Sequence, residues 1–481
     1  MTEPTVLIVG AGTFGTSTAY HLAKSYDDPS RITVIDRWNA LSRGPSPAAA
    51  IDVNRIIRTD YVSPLYCNLA NEAIHPWFWD IDLGHHFHKT GWVVIDEKNS
   101  EFTTAVRRTF RLRGSDYTRD VDVSSVGNTW KMLQGIDTAD VGDAYFNPEA
   151  GWCDAASATS SFMAAAERRG VQRVTADVEE LQLDTGRRRV IGVRTADGNQ
   201  ITADKIVLAT GAWTSKLLAP IEDALDIAVD DRVEQQLKAV GRVSAYYTLT
   251  SQETEMMCAD NLPILVYKGW GILTPPSPDN RTLKVNDLRT EFVNTQTTSS
   301  GQRISVPDLW GQNTVPEKLQ KEMGSLLKAM IPAFSSQRKL DRWRICWDAA
   351  TPTGDWLLSR HPHAQLQNLH IAAGGNFSSY KFMPIVGRYI CNVLNGQSNG
   401  IEKDEAWGWK DTARIQQQVK HRNELGGKTS VAHHSELDWF KSVKAQVILY
   451  TSSAQYLLWW LCLVLKTQHK SRSKTKGCVV A

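Results

Sequence analysis

The sequence has no CxxC pair, no dominant charge of one sign and no leader-like start, and each absence removes a class of function. Its seven cysteines (67, 153, 258, 346, 391, 462 and 478) are scattered and odd in number. Neither a disulfide framework nor a zinc site is implied, and mostly free thiols in an intracellular protein are expected. Lys and Arg number 54 against 52 Asp and Glu, so no broad basic face is implied and nucleic acid is not expected as a partner. The chain enters an apolar strand at once, at Thr5–Val9, without the basic start, longer apolar run and small-residue cleavage site of a secretory leader. No Ser/His/Asp or P-loop pattern is present. His85, His86 and His88 stand without an accompanying set of acids or cysteines, which predicts a surface loop and no metal site.

What is present begins with a glycine turn. Gly10-Ala11-Gly12-Thr13-Phe14-Gly15 follows an apolar strand and opens a helix over about Thr16–Ser25. Roughly twenty residues on, the β-branched run Arg31–Ile35 ends in Asp36 and Arg37. Gly10 permits the tight turn, Gly12 lets backbone approach a pyrophosphate, and Gly15 lets helix and strand pack closely. The helix N-terminus offers N–H groups to phosphate, and Asp36 suits ribose hydroxyls. On the turn alone, NAD and FAD are an even contest.

The length of 481 residues exceeds what one compact core fills and predicts two interleaved domains. Further expected elements are a helix over Ser157–Arg169, strands with turns from Val174 to Thr202, and a buried strand Lys205–Leu208 running into Gly211. A separate antiparallel sheet is expected from Arg242 to about Val306, with another buried strand at Leu369–Ala373 before Gly374 and Gly375. Pro384 marks a helix start over Ile385–Leu394. Seventeen tryptophans are present; core packing accounts for most, and Trp152, Trp213, Trp347 and Trp356 are candidates to wall a ligand pocket.

Four separated stretches carry a resemblance: Arg344-Ile345-Cys346-Trp347-Asp348, His361-Pro362, Ala372–Phe382, and Asp52–Arg58 (DVNRIIR), taken with the glycine turn. Together they resemble the sarcosine oxidase-like branch of the D-amino-acid-oxidase-type flavoenzymes over roughly residues 5–400. Within that branch the chain is most similar to fungal fructosyl-amino-acid oxidases and saccharopine/pipecolate oxidases. The resemblance implies an α/β architecture, a Rossmann-like FAD-binding domain with a second, mixed and largely antiparallel substrate domain. The expected division is residues 1–60, 146–215 and 340–400 for FAD, 61–145 and 216–339 for substrate, and a polar segment over 401–444.

The resemblance also implies roles. Cys346 matches the cysteine that holds FAD covalently, with Gly10, Gly12, Thr13, Phe14, Gly15, Asp36, Arg37, Val178, Gly211, Gly374, Gly375 and Lys381 as further cofactor contacts. Arg58 and Lys381 match the pair that clamps the substrate carboxylate, a task suited to a planar guanidinium fork and a point charge. Lys284 matches the lysine that promotes reaction with oxygen, where a cation lowers the cost of negative charge. Arg55 stands where sarcosine oxidases carry Arg and fructosyl-amino-acid oxidases commonly carry Lys, a departure that weighs against a sugar-bearing substrate.

The implied activity is oxidation of a secondary amine in an amino acid by a monomer, with an amine and O2 as small-molecule partners and H2O2 as product. N-methyl, fructosyl, pipecolate and saccharopine-like substrates all remain open. Two alternatives stand beside it: a fungal tailoring oxidase that oxidises an N-methyl aromatic amino acid with ring capture of the imine, and an inactive flavin-binding scaffold tethered to membrane. The tail supports three readings. Residues 445–465 are apolar, uncharged and as long as a bilayer core requires; a basic stretch follows; and Cys478–Ala481 has the form of a prenylation box. A membrane anchor, a lipidated basic tail and a functionless extension are the alternatives for 445–481.

Overall fold

The first strand is buried along its whole length. Val6–Val9 alternates Val6 and Ile8 into one core and Leu7 and Val9 into another, as a strand covered on both faces must. Parallel neighbours flank it, Ile32–Asp36 on one side and Lys205–Leu208 on the other. The computed structural model describes residues 2–38, 48–186, 188–307, 315 and 317–424. The expectations for residues 445–481 lie outside them, and among the described residues no helix is long and apolar enough to cross a membrane.

The sheet so begun has six strands, in the order Leu357–Arg360, Leu369–Ala373, Lys205–Leu208, Val6–Val9, Ile32–Asp36, Gln172–Thr175. All neighbours are parallel except the first pair. Helix Thr13–Ala23 covers one face, starting three residues earlier than expected because Gly12 itself is its N-cap. It packs on helix Met383–Leu394, where Pro384 occupies the first turn as anticipated. A Cβ at Gly387 would fall 2.0 Å from the Ser17 carbonyl oxygen, so only glycine allows this approach. The third helix on this face, Ala155–Glu167, matches the Ser157–Arg169 expectation with a two-residue shift.

The second large sheet has eight strands, and it is bigger than the local pattern predicted. Its order is Arg342–Ala350, Lys238–Thr248, Thr282–Asp287, Gly271–Thr274, Ile264–Tyr267, Trp92–Glu97, Val141–Asn147, Arg119–Asp120. It is antiparallel except where Ile264–Tyr267 runs parallel to Trp92–Glu97. Arg342–Ala350 pairs with Lys238–Thr248 from Arg342 to Ala350, so the segment 340–400, expected to serve FAD, contributes its Cys346 strand to this sheet. A small sheet of Arg55–Ile57, Gly151–Cys153 and Phe87–His88 lies between the segments that feed both.

The histidine run is a correction. His85 and His86 end a short 3-10 turn and His88 lies in a strand. His86 meets Ser161 Oγ at 2.8 Å, and His88 meets the Asp154 carboxylate at 2.6 Å while stacking on Trp152. Only His85 is exposed, and among the described residues no His/Cys/Asp/Glu group is arranged for a metal. The five described cysteines are free thiols. The polar segment after residue 400 forms helices Ile401–Trp407 and Thr412–Glu424, with Trp407 and Lys410 buried.

Candidate active site

A cavity of about 680 Å³ runs from the glycine turn to the face of the eight-stranded sheet. At its first end, Gly10 has a φ of +102°, and a Cβ there would lie 2.5 Å from the Ala209 carbonyl oxygen. Gly15 does not line the cavity; its added Cβ would fall 1.8 Å from the Gly10 carbonyl oxygen, so its role is close packing behind the turn. Gly12, by contrast, faces open space, with Ala50 Cβ the nearest atom at 3.8 Å. The helix N-terminus at Gly12 has no side-chain cap, which leaves backbone donors beside the lining residues Thr13 and Phe14. Asp36 accepts the Ala11 N–H at 2.7 Å and the Trp38 N–H at 2.8 Å, one on each oxygen. Each oxygen keeps a second lone pair for a hydroxyl. Arg37, Val178 and Gly211 line the same end, and the Arg37 guanidinium lies 4.7 Å from the Trp213 ring centre.

At the other end the cavity meets Cys346, Gly375 and Lys381. Cys346 Sγ accepts from Arg55 Nη2 at 3.3 Å. A Cβ at Gly375 would lie 2.6 Å from Asp348 Oδ1, so a larger residue there would push that carboxylate out of place. Asp348 in turn accepts the N–H groups of Ala349 and Phe377, each at 2.8 Å, while burial pushes its carboxyl above the usual range. Gly374, Asn376 and Phe377 have positive φ of 83°, 48° and 57°. Left-handed Phe is strained, and such strain collects at functional sites. Gly374 lies behind the wall against Thr351 and does not line the cavity. Of the four tryptophans singled out, Trp213 and Trp347 line it; Trp152 and Trp356 are core residues away from it.

Arg58 and Lys381 come together through a residue that sequence reasoning missed. The Arg58 guanidinium carbon lies 4.6 Å from the Tyr61 ring centre and 5.1 Å from that of Trp92. Lys381 Nζ donates to Tyr61 Oη at 2.8 Å and also to the Ser378 carbonyl. Arg58 is buried, and its Nη1 has no hydrogen-bond partner among the described residues. Burial, then the neighbouring Arg58, holds the Lys381 amine well below the usual lysine range. Behind them Asp60, bound by Tyr145 Oη at 2.8 Å and Asn147 Nδ2 at 2.9 Å, is raised by burial. A buried guanidinium with an unused donor in a cavity is poised for an anionic ligand.

Lys284 lines the cavity but is not a free cation. Its Nζ donates to Asp52 Oδ2 at 2.7 Å and to the Asn54 carbonyl at 3.3 Å. Arg55 Nη1 shares the same carboxylate oxygen at 2.7 Å. Burial pushes the Lys284 ammonium down to about 8, against the pull of Asp52. Ile56, Trp92, Ile272 and Leu288 give the same cavity apolar lining, Ile272 from the strand paired with that of Lys284.

A family model described as DAO, FAD dependent oxidoreductase, matches residues 5–393. The chain belongs to that family. It is 26% identical over 432 residues to L-saccharopine oxidase of Schizosaccharomyces pombe, covering 85% of this chain and 93% of that one. It is 28% identical over 466 residues to the amino acid oxidase imqH of Aspergillus flavus, covering 82% and 93%. Among solved structures, fructosamine oxidase (Amadoriase II) from Aspergillus fumigatus superposes with a TM-score of 0.72 at 24% identity over 86% of this chain and 91% of the other. That likeness shows the fold, a D-amino-acid-oxidase-type FAD-binding fold with mixed α/β sheets. An FAD-dependent family fits the turn, the uncapped helix end and Asp36, whose chemistry suits a pyrophosphate and a ribose.

Proposed function

We propose that this FAD-dependent oxidoreductase oxidises the C–N bond of a secondary amine in an amino acid and passes the electrons to dioxygen. The observation that carries the proposal is the buried Arg58 guanidinium, with a donor unused, in one cavity with Lys381, Lys284 and Cys346. FAD supplies the two-electron relay between amine and oxygen. The amine loses a hydride equivalent and a proton to give an imine, water hydrolyses the imine, and O2 takes two electrons and two protons to become H2O2.

The protein's part is binding, orientation and electrostatics. Arg58 meets the substrate carboxylate with its planar fork, and the bound anion favours the charged form of Lys381, which burial and Arg58 oppose. Tyr61 holds both side chains in register. Fixing the carboxylate orients the reacting carbon, a gain from positioning and not from acid–base chemistry. Lys284 supplies the positive charge that favours electron transfer to oxygen, and Cys346 holds FAD covalently through sulfur. Arg55, next to that sulfur, stands in both neighbourhoods. Gly10, Gly12, Thr13, Phe14, Asp36, Arg37, Val178, Gly211 and Gly375 serve the dinucleotide.

Hydrolysis of the imine is the outcome proposed, in a monomeric enzyme. A panel of N-substituted amino acids, read out as peroxide and as released carbonyl compound, tests it. Peroxide without a released carbonyl compound would instead indicate capture of the imine within the substrate.

A further inference from the structure

Asp52 takes no part in the proposed reaction, yet it is among the most heavily engaged side chains in the molecule. Its carboxylate is 2% exposed. It receives Lys284 Nζ at 2.7 Å, Arg55 Nη1 at 2.7 Å and Tyr246 Oη at 3.1 Å, with Arg344 Nη1 at 3.5 Å. Three cations surround one anion, leaving an excess of two positive charges beside Cys346. Burial alone would raise the Asp52 carboxyl, but Lys284, Arg55 and Arg344 together hold it well below the usual range.

The arrangement joins separate parts of the fold. Asp52 precedes strand Arg55–Ile57, whereas Lys284 and Tyr246 are cross-strand partners in the eight-stranded sheet, and Arg344 comes from its edge strand. The charged and titratable groups facing Lys284 are Asp52 and Arg55 from the first segment, Tyr246 from Lys238–Thr248, and Arg344 and Cys346 from Arg342–Ala350. Thr274, opposite Lys284 on the remaining neighbour strand, is uncharged. Only Asp52 among them is an anion in contact with the ammonium. Without it, burial and the neighbouring Arg55 guanidinium would push the Lys284 ammonium lower still.

We infer that Asp52 is the positioning residue that keeps Lys284 in place as a cation and thereby governs the oxygen-dependent half of turnover. The inference rests on the proposed role of Lys284. Its sign follows from the contacts: the Lys284 charge is present at low pH and is lost as pH rises through its midpoint, and removing Asp52 moves that midpoint down.

The test compares wild type with Asp52→Asn and with Asp52→Asn/Arg344→Gln. The double variant restores the excess of two positive charges and so serves where the single one does not fold. Two quantities are followed against pH: the rate at which oxygen restores the colour of anaerobically reduced protein, and the visible absorption spectrum of the resting holoprotein. Wild type should show a midpoint near 8 in both, with the rate falling as pH rises. Both variants should show midpoints lower by about one unit or more, a tenfold or greater fall in the ammonium-to-amine ratio at a given pH. Asp52→Glu, which keeps the charge, should bring the midpoint back toward wild type. A residue that only supported the fold would lower flavin content and leave the midpoints alone. Unmoved midpoints in a folded variant, or a wild-type rate flat with pH, overturn the inference. Lys284→Met separates the two layers: if its reoxidation equals wild type, the reading of Lys284 fails, and if it is slow while the Asp52 variants keep the wild-type midpoint, only the inference about Asp52 falls.

Discussion

Arg55 and Cys346 lie 291 positions apart in the chain and meet at 3.3 Å, the guanidinium Nη2 donating to Sγ. The cysteine sits on the strand that pairs with Lys238–Thr248, opposite Arg242, and Arg55 reaches it from the strand that follows Asp52. The sulfur therefore faces the cavity beside a fixed cation, where a thiol has a chemical use that an inert core cysteine lacks.

If Cys346 carries FAD, acid-precipitated wild-type protein should stay yellow, and Cys346→Ala should release its colour to the supernatant. Absorbance of pellet and supernatant decides this, and a colourless wild-type pellet would contradict covalent attachment.

Replacing Arg58 should weaken substrate binding more than it slows chemistry. A lost charge-assisted hydrogen bond at a buried site is worth roughly 1.5–3 kcal/mol, so Arg58→Ala should raise KM by about 10- to 100-fold. Arg58→Lys should recover only part of this, because an ammonium cannot reproduce the fork. Steady-state kinetics would expose an unchanged KM, which would place the carboxylate elsewhere.

Lys381 predicts a proton linkage. Burial and Arg58 depress its amine in the free protein, and a bound carboxylate opposes that repulsion. Binding should therefore take up a proton, and affinity for a simple carboxylate such as acetate should fall as pH rises through the interval between free and bound values. Calorimetry in buffers of different ionisation enthalpy reads the proton count directly; a value of zero throughout that interval contradicts the clamp.

Lys284→Met should slow reoxidation by oxygen on the order of a hundredfold, the usual cost of losing one electrostatic stabiliser, and should slow reduction by substrate much less. Stopped-flow measurement of the two half-reactions separates them, and equal slowing of both would mean the lysine supports structure instead.

The glycine turn was legible because strand, turn and helix are contiguous, and Gly10, Gly12 and Gly15 each do a separable local job. The site's far half was legible only through motif resemblance, since Cys346 and Lys381 carry no local signal of what they face. Asp52 and Tyr246 were missed for a physical reason: their meaning arises from a register that pairs Tyr246 with Lys284 across strands. Tyr61 was missed likewise, as its partner Lys381 lies 320 residues away. An acid three residues ahead of Arg55, which opens the strand Arg55–Ile57, was the available hint. The histidine run misled because its partners, Asp154 and Ser161, lie 66 and 75 residues downstream. The large sheet was underestimated for the same reason, as it recruits strands from 92–147 and from 342–350, on either side of the stretch 242–306.

The most direct measurement of the central claim is anaerobic titration of the purified holoprotein with a panel of N-substituted amino acids, followed by admission of oxygen. The account predicts that at least one of them bleaches the flavin absorbance, and that oxygen restores it with peroxide formed in equal amount to the amine consumed. Amines with the same substituent but an amidated carboxyl group should fail to bleach it at matched concentration. Flavin that stays oxidised with every acid in the panel, or that bleaches equally with the amides, would contradict an amino-acid amine oxidase built around Arg58.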